Sequence, residues 1–456
     1  MSAAVQLGVE RAARLRQQIS SLGARVHANT PIREGRLVRM VGTRLEVAGC
    51  TGAVGSRCSI QAEEERSVEA EVVGFSEGRL ILMPEGNLHG VMLGARVRPL
   101  GFSHRVGVDE NLLGRVINGA GHLLDGGPTV MFRDYAPLRG PSINPLARGS
   151  VREPLDVGVQ AINALATIGR GQRLGLFAGS GVGKSTLLGM MTRHTAADVI
   201  VVGLVGERGR EVREFVDEIL GPEGLRRAVV VATPADDPPL MRVHGAWRAT
   251  AIAEHFRRQG KNVLLLLDSL TRFAQAQREI GLAAGEPPVA KGYPPSVFSL
   301  LPALVERAGN TQEGSITAIY TVLVEGDDLG DPIADSARAI LDGHIVLSRQ
   351  LADSGLFPAF DIEASISRSM VNVVDPAQLQ LARQLKELYA VWRENRDLIT
   401  IGAYERGTDP AIDRALSAIG PLRALISQPW NEKRDMQHSL NAMLETARAA
   451  GLGGQS

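Results

Sequence analysis

LGLFAGSGVGKST, residues 174–186, is the stretch from which the rest of the chain can be read. An apolar run (Leu174, Leu176, Phe177) gives way to a turn holding Gly179, Gly181 and Gly183, then to Lys184, Ser185 and Thr186. A helical pattern follows in Leu187, Leu188, Met190 and Met191. Strand, glycine loop, Lys-Ser and helix in that order form a phosphate-binding loop. Glycine lets the backbone fold round an anion with its N–H groups turned inward, and the helix N-terminus adds partial positive charge. The candidate phosphate-binding set is Ala178, Gly179, Ser180, Gly181, Val182, Gly183, Lys184, Ser185 and Thr186. Lys184 is placed to reach the outer phosphates and Ser185 to hold Mg²⁺. The strict pattern opens with glycine where this chain has Ala178, a residue still small enough to fit.

The chain has 456 residues, which favours two or three domains over a single core. Hydrophobic residues make up 44% and charged residues 22%, the balance of a soluble globular protein. Formal net charge is zero, so no global field argues for nucleic acid. No apolar run approaches the roughly 18 residues that cross a bilayer, and the Arg-rich N-terminus lacks the apolar core of a signal peptide. Cys50 and Cys58 have no His or Cys neighbours to complete a zinc set, and they are expected to be reduced thiols of a cytosolic protein.

Residues 1–27 are expected to begin with an amphipathic helix: Val5, Ala12 and Ile19 share one heptad position, and Leu15 and Leu22 another. Arg11, Arg14, Arg16 and Arg25 outweigh Glu10. Such a helix can dock on a partner, lie on an anionic membrane, or pack on its own domain. Residues 28–100 carry short apolar runs (35–40, 44–47, 69–75, 79–83, 96–100) between closely spaced glycines, the pattern of a small β-barrel. This stretch holds nine Arg, nine acids and a single aromatic, Phe75. A nucleic-acid barrel would need a basic groove and stacking rings, so a barrel that holds subunits together is the better reading. Residues 101–375 read as an α/β nucleotide-binding core, with strands expected at 173–178, 199–206, 228–233, 263–268, 316–324 and 344–348. Residues 376–456 turn helical, with Leu379, Leu381, Leu385, Leu388, Val391 and Trp392 at helical spacing.

A phosphate-binding loop needs a magnesium partner and a group that orients water. The apolar run 263–267 delivers Asp268 at its C-terminal end, where it can act on the metal through water. Ser269 follows, where many ATPases carry a catalytic Glu. The strand at 199–205 ends in Gly206-Glu207-Arg208. Strand C-termini converge on the ligand crevice of a parallel sheet. Glu207 is therefore assigned to polarising the attacking water and Arg208 to the phosphate side. A cation for the developing phosphoryl charge is still required, and composition alone does not single one out.

Five segments together resemble the hexameric rotary-type ATPases of the ATP synthase α/β family. They are AGSGVGKST (178–186), GERGRE (206–211), LLLLDSLTRFAQAQREIGLAAGEPP (264–288), DPIADSARAILDGHIVLSR (331–349) and PAFDIEASISR (358–368). Within the family the match is nearest to the flagellar protein export ATPases, with the virulence injectisome ATPases as the close alternative and an ATP synthase catalytic subunit behind them. The resemblance implies a RecA-like P-loop core between an N-terminal small β-barrel and a C-terminal helical domain, and Mg-dependent ATP hydrolysis by a homohexamer. It places an arginine finger for the neighbouring subunit at Arg368 and an adenine-stacking aromatic at Phe357, with Tyr404 a weaker candidate on the other side of adenine. It also implies partners: a peripheral-stalk-like regulator at the N-terminal helix, a central coiled-coil stalk near Lys291 and Tyr293, an export gate, chaperones and flagellar export substrates. The expected place is the cytoplasmic face of the inner membrane. A termination helicase would need a basic barrel, and a non-catalytic ring subunit would not need Lys184, Glu207, Asp268 and Arg368 together.

Overall fold

The computed structural model describes residues 11, 15–16, 32–63, 66–101, 105–324 and 330–452. The amphipathic helix expected over residues 1–27 lies outside them apart from Arg11, Leu15 and Arg16.

Six strands close the first barrel: β1 (Gly35–Val41), β2 (Arg44–Ala48), β3 (Arg57–Gln61), β4 (Ser67–Ser76), β5 (Arg79–Pro84) and β6 (Arg96–Gly101), in the order β1-β2-β5-β4-β3-β6. Alternation fills the interior with Leu37, Leu45, Val47, Ile60, Val72, Leu82 and Val97. β3 has no counterpart among the expected runs. Its sequence RCSIQ points only Cys58 and Ile60 inward, so it carries no apolar run to read. Cys58 is a core residue, and burial pushes its thiol up to about 12, in keeping with a thiol of no chemical role.

The barrel packs on the core along a polar seam. His244 and Glu71, both 3% exposed, share a 2.9 Å hydrogen bond between Nε2 and Oε2. Glu85 lies close by, with donor atoms of all three within 4.8 Å. Arg139 Nη2 stands 3.7 Å from Glu71, and the charge of Arg248 acts on Glu85. Two arginines disfavour a dication here, so the cluster is read as an ion-paired joint.

A two-stranded ribbon, β7 (Arg105–Val108) with β9 (Asp134–Pro137), flanks the entry to the core. The main sheet contains β8 (Val116–Ile117), β10 (Arg173–Ala178), β11 (Val199–Val205), β12 (Ala228–Thr233), β13 (Asn262–Asp268), β14 (Gly309–Asn310), β15 (Ser315–Leu323), β16 (Gly343–Leu347) and β17 (Ile366–Ser367). Its order is β17-β16-β10-β15-β13-β11-β12-β8, parallel except for the edge strand β17 and the short β14 beside β15. The expected strands match within one residue at each end. Pleating sends Leu174 and Leu176 into one apolar cluster and Phe177 into the other, so both faces of the sheet are covered.

Under the second face lies a fully buried ion pair. Arg307 donates through Nε and Nη2 to both oxygens of Glu254 at 2.8 and 2.7 Å, and through Nη1 to the Leu138 carbonyl at 2.8 Å. Its guanidinium also lies over Trp247, 5.4 Å from the ring centre. Three long helices close the C-terminal end: Pro376–Glu394, Pro410–Ile426 and Met436–Ala449. Asp375, Asp409 and Asp435 cap them by accepting backbone N–H bonds.

Because Arg307 has no route to water, removing its partner strands a buried charge. Glu254→Ala should lower folding stability by about 3–5 kcal/mol, read by calorimetry or denaturant unfolding. A loss below about 1 kcal/mol would mean that solvent reaches the pair.

Candidate active site

Three strand ends and one loop form the site. β10 runs out into the glycine loop, where Gly181 and Gly183 have φ of +77° and +91°. Those values favour glycine, and Gly183 caps the helix Lys184–His194 from the left-handed region. Ala178 and Gly179 are buried, whereas Ser180, Gly181, Ser185 and Thr186 are exposed on the open side of the loop. Val182 anchors the loop by burial at 1% exposure. A Cβ at Gly181 would meet nothing within 4 Å, so the cradle is open to a ligand.

The parallel register sets Leu204 opposite Asp268, one step before β11 turns out through Gly206 to Glu207. Lys184 stands between the two acids. Its Nζ donates to Asp268 Oδ1 at 2.5 Å and to Glu207 Oε1 at 3.1 Å. Side-chain exposures are 12% for Lys184, 14% for Glu207 and 6% for Asp268. Burial would pull the Lys184 ammonium down, but Asp268 and Glu207 outweigh it, and the lysine stays charged above its ordinary range. Burial raises the Asp268 carboxyl against the pull of Lys184. Burial also raises Glu207; Lys184 opposes it, and a hydrogen bond with Glu211 adds to the rise.

The remaining candidates are placed as follows. A Cβ at Gly183 would meet the Phe357 ring at 3.5 Å, so that ring stands beside the glycine loop with 46% of its surface exposed. Arg208 is 82% exposed and 3.9 Å from Glu211, turned to solvent. The Tyr404 hydroxyl lies within bonding distance of two acceptors, the Asp409 carbonyl (2.9 Å) and Asp413 Oδ1 (3.0 Å), bracing a helix start. Tyr293 is buried at 7% exposure under Arg278 and against Phe298, so it packs its own loop, and only Lys291 of that pair is exposed.

Arg368 lies at the other end of the sheet. Its backbone N–H donates to the Asp342 carbonyl at 3.0 Å, and the Asp342 carboxylate takes the Arg173 backbone N–H and guanidinium. Arg173 opens β10 and Ala178 closes it. At about 3.3 Å per residue that strand is roughly 17 Å long, beyond the reach of one arginine side chain. The exposed Arg368 cannot serve the glycine loop of its own chain.

Three further residues emerge from the geometry. Thr321 Oγ1 donates to Asp268 Oδ1 at 2.6 Å, Arg349 Nη2 donates to the Ser180 carbonyl at 3.0 Å, and Glu211 is the neighbouring acid that raises Glu207. Thr321 is one of two threonines in the strand SITAIYTVL, and nothing local to the sequence singles it out. Arg349 and Glu211 carried no signal beyond their place in the matched segments.

The nucleotide-binding domain of the ATP synthase alpha/beta family matches residues 158–367, and the T3SS EscN ATPase C-terminal domain matches residues 374–445. The flagellum-specific ATP synthase of Pseudomonas aeruginosa is 58% identical over 426 residues, covering 92% of this chain and 94% of that protein. This chain belongs to the ATP synthase alpha/beta family. The flagellum-specific ATP synthase of Salmonella typhimurium is 54% identical, covering 90% of this chain and 93% of that protein. The type 3 secretion system ATPase of Xanthomonas euvesicatoria is 46% identical, covering 90% and 93%. The assembled ATPase EscN of the enteropathogenic E. coli type III secretion system superposes with TM-score 0.86 at 42% identity, over 90% of this chain and 99% of that one. EscN in complex with its central stalk EscO superposes at 0.83, with the same identity and coverage. As a member of the ATPase branch of this family, the protein is an ATP-hydrolysing enzyme, and its RecA-like core, barrel and helical end follow the family plan.

The residues present suit a magnesium–nucleotide pair. The loop is an open backbone cradle, Lys184 is a charged ammonium, and Ser185 is an exposed hydroxyl at a helix start beside a buried carboxylate. If Glu207 polarises the attacking water it must be ionised to act, and burial raises its carboxyl, so kcat/KM should then fall as pH drops through a midpoint above the ordinary value of 4.5. Glu211→Ala removes a neighbour that raises Glu207 and should move that limb to lower pH. An unmoved limb would detach Glu207 from it.

Proposed function

We propose that this ATPase works as a homohexamer that energises flagellar protein export. The observation that carries the reading is the meeting of Lys184, Glu207 and Asp268 at one sheet edge beside an open glycine loop. The identity to flagellum-specific relatives, above that to the secretion-system relative, favours the flagellar branch. A bound Mg²⁺ would be held by Ser185 and, through water, Asp268, and would supply charge neutralisation for the phosphates. Lys184 binds the outer phosphates, and Glu207 orients the attacking water and takes its proton. Phe357 stacks on adenine, its exposed ring standing beside Gly183. Arg208 turns inward from solvent toward the phosphates, and Arg368 reaches the site of a neighbouring subunit. Tyr404 stays a minor candidate, since its hydroxyl is engaged at Asp409 and Asp413.

No described helix is long and apolar enough to cross a membrane. We place the ring at the cytoplasmic face of the inner membrane, held by a peripheral-stalk-like regulator and peripheral lipid contact at residues 1–27. A central coiled-coil stalk would enter near Lys291, as EscN binds its central stalk EscO. Chaperones and export substrates would dock on the helical end and pass to the export gate.

Two experiments test this. In cells whose only copy carries Glu207→Gln, swimming and secreted flagellin should fall sharply with growth unchanged. Loss of host-directed secretion instead would select the injectisome alternative. In vitro, Lys184→Ala and Arg368→Ala subunits should each be nearly inactive. Mixed, they should regain activity, because some interfaces pair an intact loop with an intact finger. No recovery in verified mixed rings would exclude the finger in trans.

A further inference from the structure

Asp268 is gripped from two sides by groups of different kinds. Lys184 is a mobile ammonium that the phosphates of a bound nucleotide would draw away. Thr321 is fixed: it is fully buried on β15, and its β-branched side chain has little χ1 freedom. Register explains the contact. β15 lies between β10 and β13, with Thr321 beside Leu176 and Tyr320 beside Leu267, so Thr321 is level with Asp268 at the strand ends. Every other side chain of β15 from Ile316 to Val322 is apolar apart from Thr317, which accepts the Gly171 N–H at 2.8 Å, and Tyr320, whose hydroxyl is buried without a hydrogen-bond partner among the described residues. A hydroxyl at this depth is costly unless it is bonded, and Thr321 places its bond on the carboxylate.

We infer that Thr321 is a positioning residue for the metal-side carboxylate, fixing the orientation of Asp268 when Lys184 leaves it for the nucleotide. Oδ1 of Asp268 receives both bonds, from Lys184 at 2.5 Å and Thr321 at 2.6 Å. When the ammonium turns to phosphate, Thr321 alone keeps that oxygen directed into the sheet, and the carboxylate cannot rotate about its own axis to follow the lysine. The inference rests on the assignment of Asp268 to the magnesium. It goes beyond that assignment by giving the strand between β10 and β13 a part in the chemistry.

Thr321→Val keeps the shape and removes the hydroxyl; Thr321→Ser keeps the hydroxyl. The full-length protein is used, with a fluorescent ATP analogue titrated in EDTA and in Mg²⁺, alongside turnover and thermal unfolding. A charge-assisted hydrogen bond of this kind is worth about tenfold or more. Thr321→Val should therefore bind the analogue in EDTA as wild type does, lose about tenfold of the gain in affinity on adding Mg²⁺, and lose a similar factor in kcat. Thr321→Ser should recover most of both. Wild-type magnesium gain in Thr321→Val would overturn the inference. So would equal weakening in EDTA, or a large fall in Tm that Thr321→Ser does not rescue, since either points to packing. Asp268→Asn is the control: if it too keeps the full magnesium gain, the assignment of Asp268 fails; if it loses the gain and Thr321→Val does not, only the role of Thr321 fails.

Discussion

An ammonium and two carboxylates share one corner of the core, and most of the fold can be understood as the means of keeping them there. Separately, each charge would be costly to hold away from water. Together, Lys184 compensates Asp268 and Glu207, and Thr321 adds a second bond to Asp268. The parallel sheet makes the meeting possible because β10, β11 and β13 all end at the same edge. The glycine loop then turns the P-loop helix so that its first residue, Lys184, faces the two acids. The arrangement is unequal, one ammonium between two carboxyl groups, a balance that a magnesium–nucleotide pair would complete.

The same sheet keeps Arg368 away. β17 pairs antiparallel with β16 and meets it at Gly343, the end remote from the glycine loop. A Cβ at Gly343 would stand 2.4 Å from the Ile366 carbonyl, so the close approach of these two strands depends on that glycine. The result is an exposed guanidinium fixed at the wrong end for its own site. Distance along a rigid strand thus keeps Arg368 from the glycine loop of its own chain.

The core was legible in the sequence because burial on both faces writes β10, β11, β12 and β13 as continuous apolar runs, and glycine and acid punctuate their ends. Lys184, Glu207 and Asp268 could be brought together from strand-end logic alone. What escaped had physical causes. β3 exposes polar residues on one face and shows only two apolar ones on the other. Thr321 matters through a register between strands far apart in sequence, which no local pattern records. Tyr293 was a candidate stalk contact only through the resemblance of its loop to a channel-lining segment, and its ring packs under Arg278.

Tyr404 and Phe357, the weaker and the stronger of the two aromatic candidates, differ in what holds their rings. A tyrosine has a hydroxyl to satisfy, and Tyr404 satisfies it at a helix start, taking the Asp409 N–H and donating to Asp413. That bonding holds the ring to its own loop. Phe357 has no such tie, and its ring stands half-exposed beside the loop that a phosphate would enter. A base stacked there would cover apolar surface that water now covers, and the glycine at 183 leaves it room. The aromatic without a polar group to anchor it is therefore the one of the two whose apolar face stays uncovered beside the glycine loop.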